Sequence, residues 1–189
     1  MAIAALVPQR LTLVSLVEDA RSPLLERLAK APAFLGALHI PMLGETAAQR
    51  TLTAARIDAA IIGADRAVLL VAQGAGCLAA AWWARLSPEA YVARVAGALM
   101  IAPETRPAAP LGFASPRTAL PFPSIVVGAD DASQRLAGEW GSRMIDGPVP
   151  IGQRETSNRF LSMLARFTSA IVQNDVRAAE RLIAAIGDH

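Results

Sequence analysis

The sequence predicts an α/β protein, a three-layer sandwich with a mainly parallel sheet and helices on both faces. Three observations carry this. Short apolar runs alternate with longer amphipathic or alanine-rich stretches, the pattern of strands joined by crossover helices. The runs at 67–72 and 95–102 are apolar throughout, as strands buried on both faces are. Between the first of these and the helix after it stands a glycine-rich corner, Gly74-Ala75-Gly76.

The elements follow in order. Leu11 to Val17 is β-rich and short, a first buried strand. Ser22-Pro23 opens a helix, with Ser22 as cap, Leu24, Leu25 and Leu28 as its apolar face, and Pro32 beyond its end. Phe34 to Ile40 is a second strand, closed by Pro41. Thr46 to Ile62 reads as a helix with Leu52, Ala55, Ile57 and Ile61 inward and Gln49, Arg50, Arg56 and Asp58 outward. Gly63 stops it. The central strand then runs into Gln73 and Gly74, where a positive φ is expected, and on into the helix carrying Trp82 and Trp83. Val95 to Ala102 is the next strand. Residues 103–119 hold four prolines and little periodicity, and read as loop. Phe122 to Gly128 is a strand, Asp131 to Trp140 a helix, and Arg143 to Ile145 a short last strand.

Residues 156–186 stand apart. Phe160, Leu164, Phe167 and Ile171 lie at helical spacing, and Val176, Leu182, Ile183 and Ile186 continue an apolar face beyond Asn174-Asp175. One reading is a helix, kinked or paired, that covers a sheet face. The other is a homodimer or protein-partner surface centred on those side chains, with Arg159, Arg166 and Arg177 at its rim.

Composition excludes several classes. A chain of 189 residues suits a single domain spanning 1–189 with a substantial core. Hydrophobic residues make up 53% and charged residues 18%, which excludes a disordered chain. The 18 basic residues are scattered among 16 acidic ones without a block, so no nucleic-acid partner is expected. One cysteine rules out an internal disulfide and fits a reducing compartment. The Ile3–Val7 stretch is too short for a secretory leader, and no run approaches the ~18 apolar residues of a membrane span. The expectation is a soluble cytoplasmic protein without membrane contact, cofactor or metal.

Four blocks carry a family resemblance: Val68–Cys77, Arg94–Pro103, Leu120–Val127 and Trp140-Gly141. Together they resemble small serine hydrolases of the retinoblastoma-binding-protein-9 and YdeN type over residues 66–141, the first three also in order and spacing, while the segment leading to Trp140-Gly141 is several residues shorter than in that family. The Leu120-Pro121-Phe122-Pro123-Ser124 block makes this more specific than an apolar strand would. The first 65 residues match in element order only, and the last 35 hardly match. The resemblance implies an α/β-hydrolase fold. It also implies a serine nucleophile at the corner, a histidine base after the last strand and an acid that orients the histidine. Family elbows resemble Val-Ala-His-Ser-Leu-Gly-Cys. Aligned on them, Gln73 stands in place of histidine and Gly74 in place of serine. The acid position falls at Asp130 or Asp131. The catalytic histidine falls at Pro148, after Gly147. Where family members help form the oxyanion hole with Val-Pro-Gly, this chain reads Val14-Ser15-Leu16. Ser15, Leu16, Gln73, Gly74 and Ala75 would line the cleft.

These positions lead to three readings. The first is a non-catalytic relative that binds a small-molecule ligand in the cleft, or a protein. The second is an active esterase-like hydrolase with a non-standard catalytic set. The third is nucleotide or anion binding at the corner, because Gly74-Ala75-Gly76-Cys77-Leu78-Ala79 fits Gly-x-Gly-x-x-Ala after a strand, with Glu104 near the end of the next strand. The chain's two histidines, His39 and His189, occupy neither family position; His39 reads as a structural residue and His189 as a solvated terminus. Cys77 on the first helical turn is expected to be buried and inert rather than activated. Trp82, Trp83 and Trp140 are expected to be packing residues. Asp130 and Asp131 read as well as a turn and helix cap, and Ser15, Ser115 and Ser124 are hydroxyls without a motif.

Overall fold

The computed structural model describes residues 11–17, 23–30, 34–103, 112–114, 117–147, 166–167 and 169–170. Its strands are β1 (Leu11–Val17), β2 (Phe34–Pro41), β3 (Val68–Gln73), β4 (Val95–Ile101), β5 (Ser124–Gly128) and β6 (Arg143–Asp146). They form one sheet in the order β2-β1-β3-β4-β5-β6, and each neighbouring pair is parallel. The helices are α1 (Pro23–Ala29), α2 (Ala47–Ile62), α3 (Ala75–Leu86), α4 (Glu89–Val92) and α5 (Asp131–Glu139). The short α4 was not expected from the sequence, where four residues are too few to show a period.

Side-chain alternation sorts the core into two layers. Val14, Leu16, Leu70, Ala72, Ala98, Met100 and Val126 point to one face, under Ile57 and Ile61 of α2, most of α3, and Leu136 and Ala137 of α5. Leu11, Leu13, Val17, Leu69, Val71, Leu99, Ile101, Ile125 and Val127 point to the other, with Leu25 and Leu28 of α1. Phe167 packs against this second layer, so the aromatic placed at the centre of a 156–186 interface is taken up at least in part by its own sheet. Phe160, Leu164 and Ile171, and the rim residues Arg159 and Arg177, lie outside the described residues; Arg166 is exposed.

The inward face of α2 differs from the expected one. Leu52 is 45% exposed and Ala55 is exposed, while Thr53, Ile57 and Ile61 are buried. Steps of four residues set the buried stripe. Thr53 tolerates burial because its hydroxyl donates to Leu43 O at 2.6 Å and accepts from Leu43 N–H at 3.3 Å. Asp58, expected outward, accepts at 2.8 Å from the indole N–H of the fully buried Trp83. Gln49, Arg50 and Arg56 are half-buried rather than free in solvent. The helix starts on a capping box between Thr46 and Gln49. Gly63 ends it with right-handed backbone (φ −75°), so its glycine is not demanded by a left-handed turn. Trp140 is buried beside α5, and the half-buried Trp82 meets Phe113 edge-on at 5.5 Å. Ser22 and Pro32 lie outside the described residues. No described helix is long and apolar enough to cross a membrane.

Candidate functional site

In a parallel sheet all carboxyl ends share one edge. The chain lays β2 on one side of β1 and then β3 on the other, so the strand order reverses between β1 and β3. Such a switch point, at the carboxyl ends, is where open α/β sheets hold ligands. Leu16 pairs with Ala72 there, and Gly74 follows β3 directly.

Gly74 is the apex of the β3–α3 turn, with φ 57° and ψ −126°. This is the positive φ that the sequence predicts, in backbone that glycine alone enters without strain. Its N–H donates to Ile101 O at 3.0 Å, and its carbonyl accepts from Cys77 N–H at 3.2 Å. No side chain caps α3. Gly76 is required for a different reason. A Cβ added there would lie 2.8 Å from the carbonyl carbon of Leu16 and closer still to its oxygen. The first turn of α3 therefore presses directly on the backbone of β1. This argues against the dinucleotide reading, in which the second glycine is kept bare for a pyrophosphate; here that side of Gly76 is filled by Leu16. Glu104, the acid of that reading, lies outside the described residues.

The five expected cleft residues do not converge. Leu16 and Ala75 are buried in the layer beneath α3. Ser15 sits one pair deeper in the sheet, opposite Val71, and alternation turns it to the other face. Gln73 is half-buried, on the same face as Ser15 by that alternation. The sequence places Ser15 and Leu16 side by side; the pleat separates them.

Ser15 instead meets His39 across the β1–β2 pair, an arrangement the sequence reading missed. Its Oγ lies 3.3 Å from His39 Nδ1 and 3.2 Å from Leu38 O. The hydroxyl has one proton and two acceptors of similar distance, so the protonation of His39 Nδ1 decides which of them it serves. Ser15 is also 4% exposed. The pair is a hydrogen-bonded brace, as expected of a structural histidine. Only the parallel register, Ser15 against His39, would have revealed it.

At the other end of the cleft Asp130 caps α5, accepting from Ser133 N–H at 2.7 Å. The Ser133 hydroxyl first, and its N–H second, hold the exposed Asp130 carboxyl below its ordinary range. Asp131 is exposed in the first turn of α5, where the helix dipole favours a carboxylate. Pro148 lies outside the described residues, as do Ser115 and His189. Ser124 Oγ pairs with Ser142 Oγ at 2.6 Å. Cys77 is fully buried, its thiol donating to Ile101 O at 3.6 Å, and desolvation pushes its pKa far above the usual thiol value. No group of three or more potential metal ligands occurs among the described residues.

Known proteins share this architecture. A protein described as a YdeN-like hydrolase from Pectobacterium atrosepticum superposes with a TM-score of 0.61 at 19% identity, over 86% of this chain and 92% of that one. A variant of PytH superposes with a TM-score of 0.52 at 14% identity, over 85% of this chain and 98% of that one. These likenesses show an α/β-hydrolase fold. No curated protein matches the chain. The serine hydrolase family model matches residues 40–149, more than half the chain and the stretch containing Gly74 and Asp130, and the chain therefore belongs to the serine hydrolase family.

Proposed function

We propose that this chain is a non-catalytic member of the serine hydrolase family that acts by binding, a small molecule at the carboxyl edge of the sheet or a protein. One observation carries the reading. The apex of the strand–turn–helix corner, where a serine hydrolase raises its nucleophile, is Gly74, which has no side chain. Two others support it. Of the two carboxylates at the family's acid position, Asp130 caps α5 and Asp131 lies exposed in its first turn. The serine–histidine pair of the described residues lies in the β1–β2 ladder, away from the Gly74 apex, with its serine buried. The lone cysteine fits a reducing compartment such as the cytoplasm.

The purified protein should not react with a fluorophosphonate probe and should hydrolyse p-nitrophenyl acetate no faster than buffer. Gly74→Ser should remain unreactive, since the hydroxyl would have no base to activate it. The active-hydrolase alternative has one observation in its favour, the 3.3 Å approach of Ser15 to His39. Stoichiometric labelling at Ser15, abolished by His39→Ala, would establish that alternative and overturn the binding reading.

A further inference from the structure

The described sheet has two edge strands, β2 and β6; β6 carries the exposed charges Arg143 and Asp146, and the chemistry of β2 points to a partner. β1 is the neighbour of β2 among the described residues. Gly36, Ala37, Leu38 and His39 are exposed in succession, Leu38 by 45%. An exposed edge strand offers unpaired N–H and C=O groups, and proteins usually guard it with charge. This one carries no such guard. From Ala31 to Gly44 there is no Asp, Glu, Lys or Arg, although the chain has 34 such residues, 18 basic and 16 acidic. The β1–β2 register slips at Leu35, and Pro41 ends the strand, so the regular stretch is Gly36–Ile40 with Leu38 at its centre.

That stretch complements itself. A two-fold axis at Leu38 with antiparallel pairing sets Gly36 against Ile40 and Ala37 against His39. Each small residue then faces a large one, and no charge meets a like charge. A second apolar group lies on the same side. Leu38 shares the face of Ile40, beneath α2, by alternation. On α2, Leu52 lies about 120° around the helix from Asp58. Asp58 bonds Trp83 of α3, and Leu52 lies on the opposite flank of α2, 45% exposed.

We propose that two copies of this chain associate through β2, antiparallel about Leu38, so that the sheet runs on from one protomer into the other. The surface is distinct from residues 156–186 and does not depend on whether the corner at Gly74 is catalytic. Light scattering at micromolar concentration should give twice the 19.8 kDa chain mass. Leu38→Lys should return it to the single-chain mass with an unchanged circular dichroism spectrum. In Leu38→Cys the two thiols would face each other across the axis, with Cα atoms about 4.5–5.5 Å apart, within disulfide range. Mild oxidation should cross-link that variant almost completely, while the native chain, whose cysteine is buried, should not cross-link. A single-chain mass for the native protein would overturn the proposal. So would a dimer that survives Leu38→Lys and leaves Leu38→Cys uncross-linked, which would place the contact elsewhere, at 156–186 or on another face.

Discussion

The β3–α3 and β5–α5 corners stand on the same edge of the sheet and are built by opposite means. At the first, the helix is buried: Ala75 through Ala81, with Trp83 and Ala84, are all covered. Packing holds it, no side chain caps it, and its apex, Gly74, carries no side chain. At the second, the helix is mostly exposed, with Ser133, Leu136 and Ala137 as its buried residues. A carboxylate holds its start through a hydrogen bond. Each corner also relies on a glycine for close approach, Gly76 against the backbone of β1 and Gly128 against Ser133. The comparison teaches that a corner secured by packing leaves its apex free for chemistry or for nothing, whereas one secured by a cap commits its polar group. This chain has a glycine at the free apex, and a carboxylate under structural load at the other.

Three substitutions test that contrast. Gly76→Ala has the largest expected effect, a loss of at least about 3 kcal/mol or failure to fold, because the new Cβ meets backbone that cannot rotate away. Urea unfolding measures it; a loss under about 1 kcal/mol would show that α3 is not pressed on β1. Gly128→Ala is next. Its Cβ would lie 2.6 Å from Ser133 Cβ, and α5 has solvent on one side into which it can shift, so about 2 kcal/mol is expected. Equal losses for the two variants would erase the distinction between a packed and a capped corner. Asp130→Ala is smallest, about 1 kcal/mol at neutral pH, with Asp130→Asn retaining most of the cap. Its pH dependence has a fixed sign. The folded-state pKa lies below the ordinary 3.8, so the wild-type advantage is full above that value and falls as pH drops through the folded pKa. A gap between wild type and Asp130→Ala that persists unchanged at the acid end would mean that the carboxylate is not the cap.

Much of the fold was legible because the strands are nearly featureless hydrocarbon. The expected limits Leu11–Val17 match β1, and Phe34–Ile40 misses only Pro41 of β2. The 95–102 strand overruns β4 by one residue, where Ala102 turns to φ 42°. A strand expected from Phe122 begins at Ser124, since Pro123 has no N–H to give the ladder. Glycine at the corner was readable because a strand changing to a helix across Gly-Ala-Gly leaves few alternatives. The site was less legible. Thr53 is buried because its hydroxyl finds both backbone groups of Leu43, ten residues away, and no local pattern encodes that. Asp58 looks like a solvent residue until Trp83 is brought beside it.

By itself, then, the sequence determined the alternation of strands and helices, the glycine at the apex of the corner and the missing charge along Ala31–Gly44. Each of these is a property of neighbouring residues, expressed through hydrophobic period, backbone freedom or charge. Tertiary structure alone decided that β2 lies at the edge, that Ser15 turns from the corner to His39, and that Gly76 seats α3 on Leu16. Those outcomes depend on which strands become neighbours and in what register. In a parallel sheet every such pairing is made across a long crossover, so the contacts that define the site join residues far apart in the chain.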